Sequence, residues 1–258
     1  MVQRKSRYTH GHQESVLRSH RWRTAENSCG YLLPHLRPDM TLLDVGCGPA
    51  TITADLTTRL ANVVGIDPID HVIAEARRDH PTLDLRVGDV LDHDGAYDVV
   101  HAHQVLHHVQ DPVAVLRKMA SLARQLVAVR ESDYGAFTWH PASPALDRWR
   151  DVFVAVMRRN GADASIGRRL LACAHAAGLT DVTYTWSSWV FATPEDRAWW
   201  GGVWADRCVD SSFSQQAVDD GVATSAEMAE LAAGWRAWTE DPDGVFIVPS
   251  GEILVRVS

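Results

Sequence analysis

The sequence has no apolar run long enough to cross a bilayer, and its first residues lack the charged-then-apolar order of a secretory signal. It is therefore expected to act in the cytoplasm, with no membrane partner. Positive charge is in deficit: 33 acids face 25 bases, a formal net charge of −8, and lysine is almost absent. That balance argues against a broad nucleic-acid-binding surface. The four cysteines, Cys29, Cys47, Cys173 and Cys208, form no CxxC pair and follow no regular spacing. They are expected as free thiols in a reducing compartment. No internal repeat or low-complexity linker marks a domain boundary.

What remains is an ordinary globular composition, 258 residues with 46% hydrophobic and 22% charged. From 41 to about 131, short apolar runs alternate with helical patterns. Strands are expected at 41–45, 63–67, 83–87, 98–102 and 126–130. Helices are expected at 51–60, 69–79, 103–109 and 112–123. Strands buried on both faces between helices imply an α/β fold with a parallel, doubly wound sheet. Later helices are expected near 145–159, 165–177, 194–209 and 225–239. Gly178 should end the second of these, and strands are expected over 181–191 and 245–258. The chain is thus expected to be a single domain over 1–258. Residues 1–36 would form N-terminal lid helices, 37–131 the core, and 132–163 and 192–244 helical cap insertions.

Asp44-Val45-Gly46-Cys47-Gly48 ends the first strand and runs straight into a helix. Glycines there let the backbone bend sharply and approach a ligand. Asp67 closes the second strand, where an acid can take two ribose hydroxyls. Asp89 follows the third strand, and Asp98 opens the fourth. Acids at successive strand ends point to a nucleoside site. A dinucleotide fingerprint would need a third glycine, but Thr51 holds that position, and no GK[ST] phosphate motif exists. Acids without phosphate provision suit a cationic nucleoside.

The stretches "LLDVGCGPAT", "VVGIDPID", "GDV" and "YDVVHAHQVLHHVQDP", in this order, resemble the class I S-adenosylmethionine-dependent methyltransferases. The likeness is to the small-molecule group that includes ubiquinone and menaquinone C-methyltransferases. It implies a Rossmann-like, seven-stranded sheet with its last strand antiparallel, and S-adenosyl-L-methionine as cofactor. Carried over by position, Asp44 belongs to the cofactor-binding set, and Gly46, Cys47 and Gly48 would line the methionine part. Asp67 would bind the ribose, with Pro68 and Ile69 beside the adenosine. Asp89 would meet the adenine amine, with Val90 adjacent, and His103 and Gln104 would flank the cofactor. Ala50 departs from the family's G-x-G-x-G. If that position needs φ > 0, alanine strains it and weakens the cofactor site.

Methyl transfer needs a base only if the acceptor must lose a proton, and histidine suits that near neutral pH. His107, His108 and, in the N-terminal segment, His12 are the candidates; packing or capping is the competing role for each. A metal site at His103 and His107 is not expected, because no matching Cys/His set accompanies them. Most tryptophans follow the nucleotide-binding half, which suggests a pocket for a bulky, partly apolar or planar acceptor; the expected substrate is a small organic molecule, quinone-like or a secondary metabolite. Tyr8, Tyr134, Trp139, Trp200 and Arg207 are its candidate contacts. Trp200 with Trp204, and Met228, Leu231, Trp235 and Trp238, have helix-face spacing and read more readily as core. The sequence leaves the oligomeric state open, a homodimer being the one assembly considered. Rival readings are a methyltransferase of macromolecules, a cofactor-retaining protein that does not methylate, and a nicotinamide dehydrogenase.

Overall fold

The computed structural model describes residues 21–257, which fall into two compact units. Tyr8 and His12 lie outside the described residues. The first unit comprises 21–132, 166–187 and 250–257. The second comprises Asp133–Ser165 and Ser188–Pro249, where insertions were expected at 132–163 and 192–244.

In the first unit, β1 (Thr41–Val45), β2 (Asn62–Asp67), β3 (Asp84–Val87), β4 (Tyr97–His103) and β5 (Ala123–Ser132) pair in parallel. β8 (Val245–Arg256) lies antiparallel to β5 through Ser250–Arg256. The order is β3-β2-β1-β4-β5-β8, with β7 (Val182–Phe191) also pairing β8. The direction of chain progression reverses between β1 and β4, the point at which open α/β sheets bind ligands.

The strands are apolar on both faces because both are covered. One face packs Leu42, Val99, Leu126 and Ala128 against Ala25, Cys29 and Leu32, and against Ile52 and Leu56 of α2 (Thr51–Thr57). Ala25 and Cys29 bound α1 (Ala25–Cys29). The other face packs Leu43, Val100, Val127 and Val129 against Val115, Leu116 and Met119 of α4 (Pro112–Leu122). Asp111 starts α4 by accepting the Ala114 N–H at 2.9 Å, with proline at the first helical position. α3 (Asp70–Asp79) follows β2, and α6 (Ile166–Ala176) packs on the α4 side. Gly178, at φ 87°, sits in the expected left-handed conformation past α6.

The second unit is built from β6 (Thr138–His140), α5 (Pro144–Arg159), α7 (Pro194–Val209), α8 (Ser212–Asp219), α9 (Ser225–Thr239) and the first half of β8. Its centre is aromatic. Trp149 meets Trp204 edge-on at 4.5 Å and Trp235 at 4.8 Å, and Phe153 and Phe246 close around them.

Two expectations are corrected. The sheet has eight strands rather than seven, because β6 adds a three-residue strand antiparallel to β8. The helix expected at 103–109 is instead the end of β4 and one 3-10 turn, Leu106–His108. Gln104 takes φ 55° there, which breaks any helix between them.

Candidate cofactor site

β1 delivers its chain to a bend in which Gly46, Gly48 and Ala50 all lie in the left-handed region, at φ 67°, 54° and 62°. Gly46 is required twice over: a Cβ would also stand 2.5 Å from Val105. Gly48 is required for its φ alone. Among the described residues, nothing lies within 4 Å of where its Cβ would stand. The backbone is therefore bare and approachable at Gly48, which is what a closely bound ligand needs.

Ala50 confirms the need for positive φ and carries the strain. A left-handed non-glycine costs about 1–2 kcal/mol. Against that, its methyl is wholly buried with Cys47, Ile73, Ala76 and Leu85, worth about 0.8 kcal/mol. Glycine would also lose about 0.4–1 kcal/mol more chain entropy on folding. The terms nearly cancel. Ala50→Gly is expected to shift stability by less than about 1 kcal/mol, whereas Ala50→Val, β-branched at the same φ, should lose well over 2 kcal/mol. Denaturant titration of both variants checks this.

Asp67 ends β2 beside the bend. Its carboxylate accepts the Gly48 N–H at 3.2 Å and the Ile69 N–H at 3.0 Å. Burial raises its pKa; the two backbone N–H groups, and then His71, pull the other way. The carboxylate is thus held at the bend on two oxygens, each with a lone pair left for a hydroxyl. Pro68 is exposed and Ile69 half-buried. After β3, Asp89 is exposed and accepts the Leu91 N–H through one oxygen at 2.9 Å, while Val90 is buried. His103 is buried at the end of β4. Gln104 accepts from Arg23 at 2.6 Å and donates to Ser132 at 2.6 Å.

Asp44 works from below the bend. Both its oxygens are engaged inside the protein, one by Thr53 Oγ1 at 2.6 Å and the other by His101 Nδ1 at 2.9 Å. Through Thr53 it fastens β1 to α2, and through His101 it ties β1 to β4. Asp98 lies at the opposite end of β4. It accepts from the Thr41 N–H and hydroxyl and from Gln125, so it clamps strands and has no part in the site.

His107 Nδ1 stands 2.6 Å from Glu131 Oε2. The other oxygen of Glu131 accepts the Val105 and Leu106 N–H groups at 2.7 and 2.6 Å. One buried carboxylate thus holds both the loop after β4 and the imidazole. His108, half-buried, has its ring centroid 3.7 Å from that of His107. Sequence reasoning missed Glu131, although it is an acid at a strand end, the signal that singled out Asp67. It also missed Cys29 and His101. Among the described residues no group of three or more His, Cys, Asp or Glu is placed to hold a metal.

Burial opposes a charge on His101, but Cys29 and Asp44 outweigh it and push its pKa up to about 10. The folded value thus exceeds the ordinary 6.5. The stability it contributes is full below pH about 6.5 and is lost as pH rises toward 10. Denaturation at pH 6 and pH 10 should show a loss of a few kcal/mol that is smaller in His101→Gln; equal losses would contradict it.

The candidate acceptor contacts fall in the second unit. Tyr134 is buried, its ring centroid 4.8 Å from that of Phe137 and 4.9 Å from that of Phe153. Trp200 stacks on Phe191 at 4.3 Å, and the Arg207 guanidinium lies over Trp204 at 4.8 Å. These three are interior side chains, drawn in by aromatic packing. Trp139 is half-buried, stacked on Phe246, with the Arg150 guanidinium 5.0 Å from its ring centroid.

Residues 43–126 match the family described as methyltransferase domain. An "Uncharacterized methyltransferase" of Schizosaccharomyces pombe is 28% identical across 96% of both chains. A ubiquinone biosynthesis O-methyltransferase of Rhodopseudomonas palustris is 32% identical over 38% of this chain and 43% of its own. Apart from the yeast protein, the first curated relatives are spanned over only a third to just over half of their length. A Haemonchus contortus phosphoethanolamine N-methyltransferase, solved with S-adenosylhomocysteine, shares the fold at TM-score 0.53 and 13% identity, over 88% of this chain and 51% of that one. The bare bend, the acids at β2 and β3 and the matched domain fit one cofactor, S-adenosyl-L-methionine, and the methyltransferase domain over 43–126 together with the methyltransferase relatives supports an S-adenosylmethionine-dependent methyltransferase.

Proposed function

We propose that the enzyme methylates an oxygen or an acidic carbon of a small, partly apolar organic acceptor, with His107 as the base that takes the acceptor's proton. The observation that carries this is the 2.6 Å contact between His107 and Glu131. A carboxylate holding Nδ1–H fixes the tautomer in which Nε2 bears the lone pair, and fixes the ring plane. It also stabilises the imidazolium that forms once the proton is taken.

Gly46, Cys47, Gly48, Asp67, Asp89 and Gln104 would hold the cofactor, which supplies an electrophilic methyl on a sulfonium when bound. The chain's own part is alignment and proton removal. Pro68, Ile69, Val90 and His103 would border the nucleoside. His108 is a second candidate for the proton. The aromatic content of the second unit, with Trp139 and Trp199 half-buried, supports a planar or apolar acceptor. Four cysteines without a disulfide, all buried, support a reducing cytoplasm. No helix among the described residues is long and apolar enough to cross a membrane.

The test is incubation with methyl-labelled S-adenosylmethionine and a panel of phenols and enolic carbon acids. Label should move to a panel member with matching release of S-adenosylhomocysteine. Binding of cofactor with no transfer to any member, or transfer to nucleic acid or protein instead, would contradict the proposal.

A further inference from the structure

A chain of polar side chains runs beneath the bend and is used by none of the chemistry above. Cys29 Sγ lies 3.4 Å from His101 Nε2, His101 Nδ1 lies 2.9 Å from Asp44 Oδ1, and Asp44 Oδ2 accepts from Thr53 at 2.6 Å. Cys29, His101 and Thr53 are wholly buried, and Asp44 is 3% exposed. His101 and Asp44 are direct partners across the β1–β4 pair, so neither can turn away without breaking sheet register. Cys29 comes from a different element, the last residue of α1.

We propose that Cys29 and His101 are positioning residues for the cofactor seat: they clamp the Asp44 carboxylate under the glycine bend and so make the shape of that bend depend on the docking of α1. The bend stores strain at Ala50, and Asp44 stands two residues before Gly46. Thr53 lies in the first turn of the helix that follows. The Asp44–Thr53 bond therefore closes the bend from below, and the buried carboxylate needs a donor on its other oxygen to stay there. His101 is that donor, and Cys29 is the partner on the far nitrogen of the ring.

The same stretch of chain is tied to the site in other ways. The Ala25 N–H donates to Asp55 of α2 at 3.0 Å, and Arg59 of the segment after α2 pairs with Glu26. Arg23, just before α1, donates to Gln104. Residues 23–29 thus touch both the helix after the bend and the end of β4. A ligand that fixes the bend should tighten α1, and a loosened α1 should weaken the ligand, by the reciprocity of linked equilibria.

The test compares wild type, Cys29→Ala and Cys29→Ser by calorimetric titration with S-adenosylhomocysteine. Labelling of Cys29 by iodoacetamide, read from its peptide by mass spectrometry, is followed with and without that ligand. Alanine and serine are similar in size, but only serine offers His101 a polar partner. Cys29→Ala should weaken binding about tenfold, and Cys29→Ser should recover most of the loss. Saturating ligand should slow labelling of wild-type Cys29 at least tenfold. Equal affinity in wild type and Cys29→Ala, equal loss in both variants, or labelling that ignores the ligand would overturn the proposal. A wild-type protein that binds no S-adenosylhomocysteine would instead remove the cofactor assignment, and this proposal with it.

Discussion

Asp67→Asn is expected to weaken S-adenosylhomocysteine binding by at least about a hundredfold, read by calorimetric titration. The carboxylate at the end of β2 already accepts two backbone N–H groups, one on each oxygen, from Gly48 and Ile69. A ribose would add two hydroxyl donors. Hydrogen bonds to a charged acceptor are worth about 1.5–3 kcal/mol each, so losing both accounts for two or more orders of magnitude. Asparagine is worse than merely neutral here. Its amide has one oxygen, so its NH2 must face either the Gly48 or the Ile69 N–H, donor against donor. The bend itself should survive, because Asp44 and Thr53 hold it from the other side. The variant should therefore keep most of its stability while losing its ligand. Unchanged affinity would show that the sugar is not read at this strand end.

His107→Ala should lower the rate of methyl transfer by about 10²–10⁴, while S-adenosylhomocysteine affinity stays within about threefold. The ring is held by Glu131, whereas the bend and Asp67 are tied to each other through the Gly48 N–H. The deficit should shrink for acceptors already ionised at the assay pH, since these need no base. That dependence on acceptor acidity separates proton removal from simple packing, which would slow all acceptors alike. Glu131→Gln should slow transfer by about 10–100-fold, the range for a supporting partner. It should also destabilise the protein, because the Val105 and Leu106 N–H groups share that carboxylate. If His107→Ala transfers methyl to every acceptor at the wild-type rate, the base is elsewhere.

The cofactor half was largely legible because its signals are local. β1, β2 and β3 are each closed by a glycine or an acid, and β1 matches its expected bounds residue for residue. The bend showed itself through Gly46 and Gly48, and Ala50 was correctly singled out as a position sensitive to φ. Asp98 misled because sequence shows an acid beside a strand but not which end of the sheet it occupies. The partners of Asp44, Thr53 and His101, could not be read from sequence because they are set by tertiary register. Glu131 was hidden for the same reason: its value lies in reaching the loop after β4, 24 residues away from His107 in sequence.

The second unit was harder to read. Its helices at 194–209 and 225–239 followed from their caps and faces, and the core reading of Trp204 and Trp235 agrees with their burial. α8 was missed even though Ser211 caps it by accepting the Ser214 N–H. β6 was missed because three residues carry too little alternation to register. Tyr134, Trp200 and Arg207 illustrate the general difficulty. Aromatic and cationic side chains suit a pocket wall and a stacked interior equally well, and only packing tells them apart.

The most direct test of the whole account is a pair of titrations on the wild-type protein, one with S-adenosylhomocysteine and one with a nicotinamide dinucleotide. The account predicts saturable one-to-one binding of the first in the micromolar range and no heat from the second. Binding of the dinucleotide, or of neither, would contradict it.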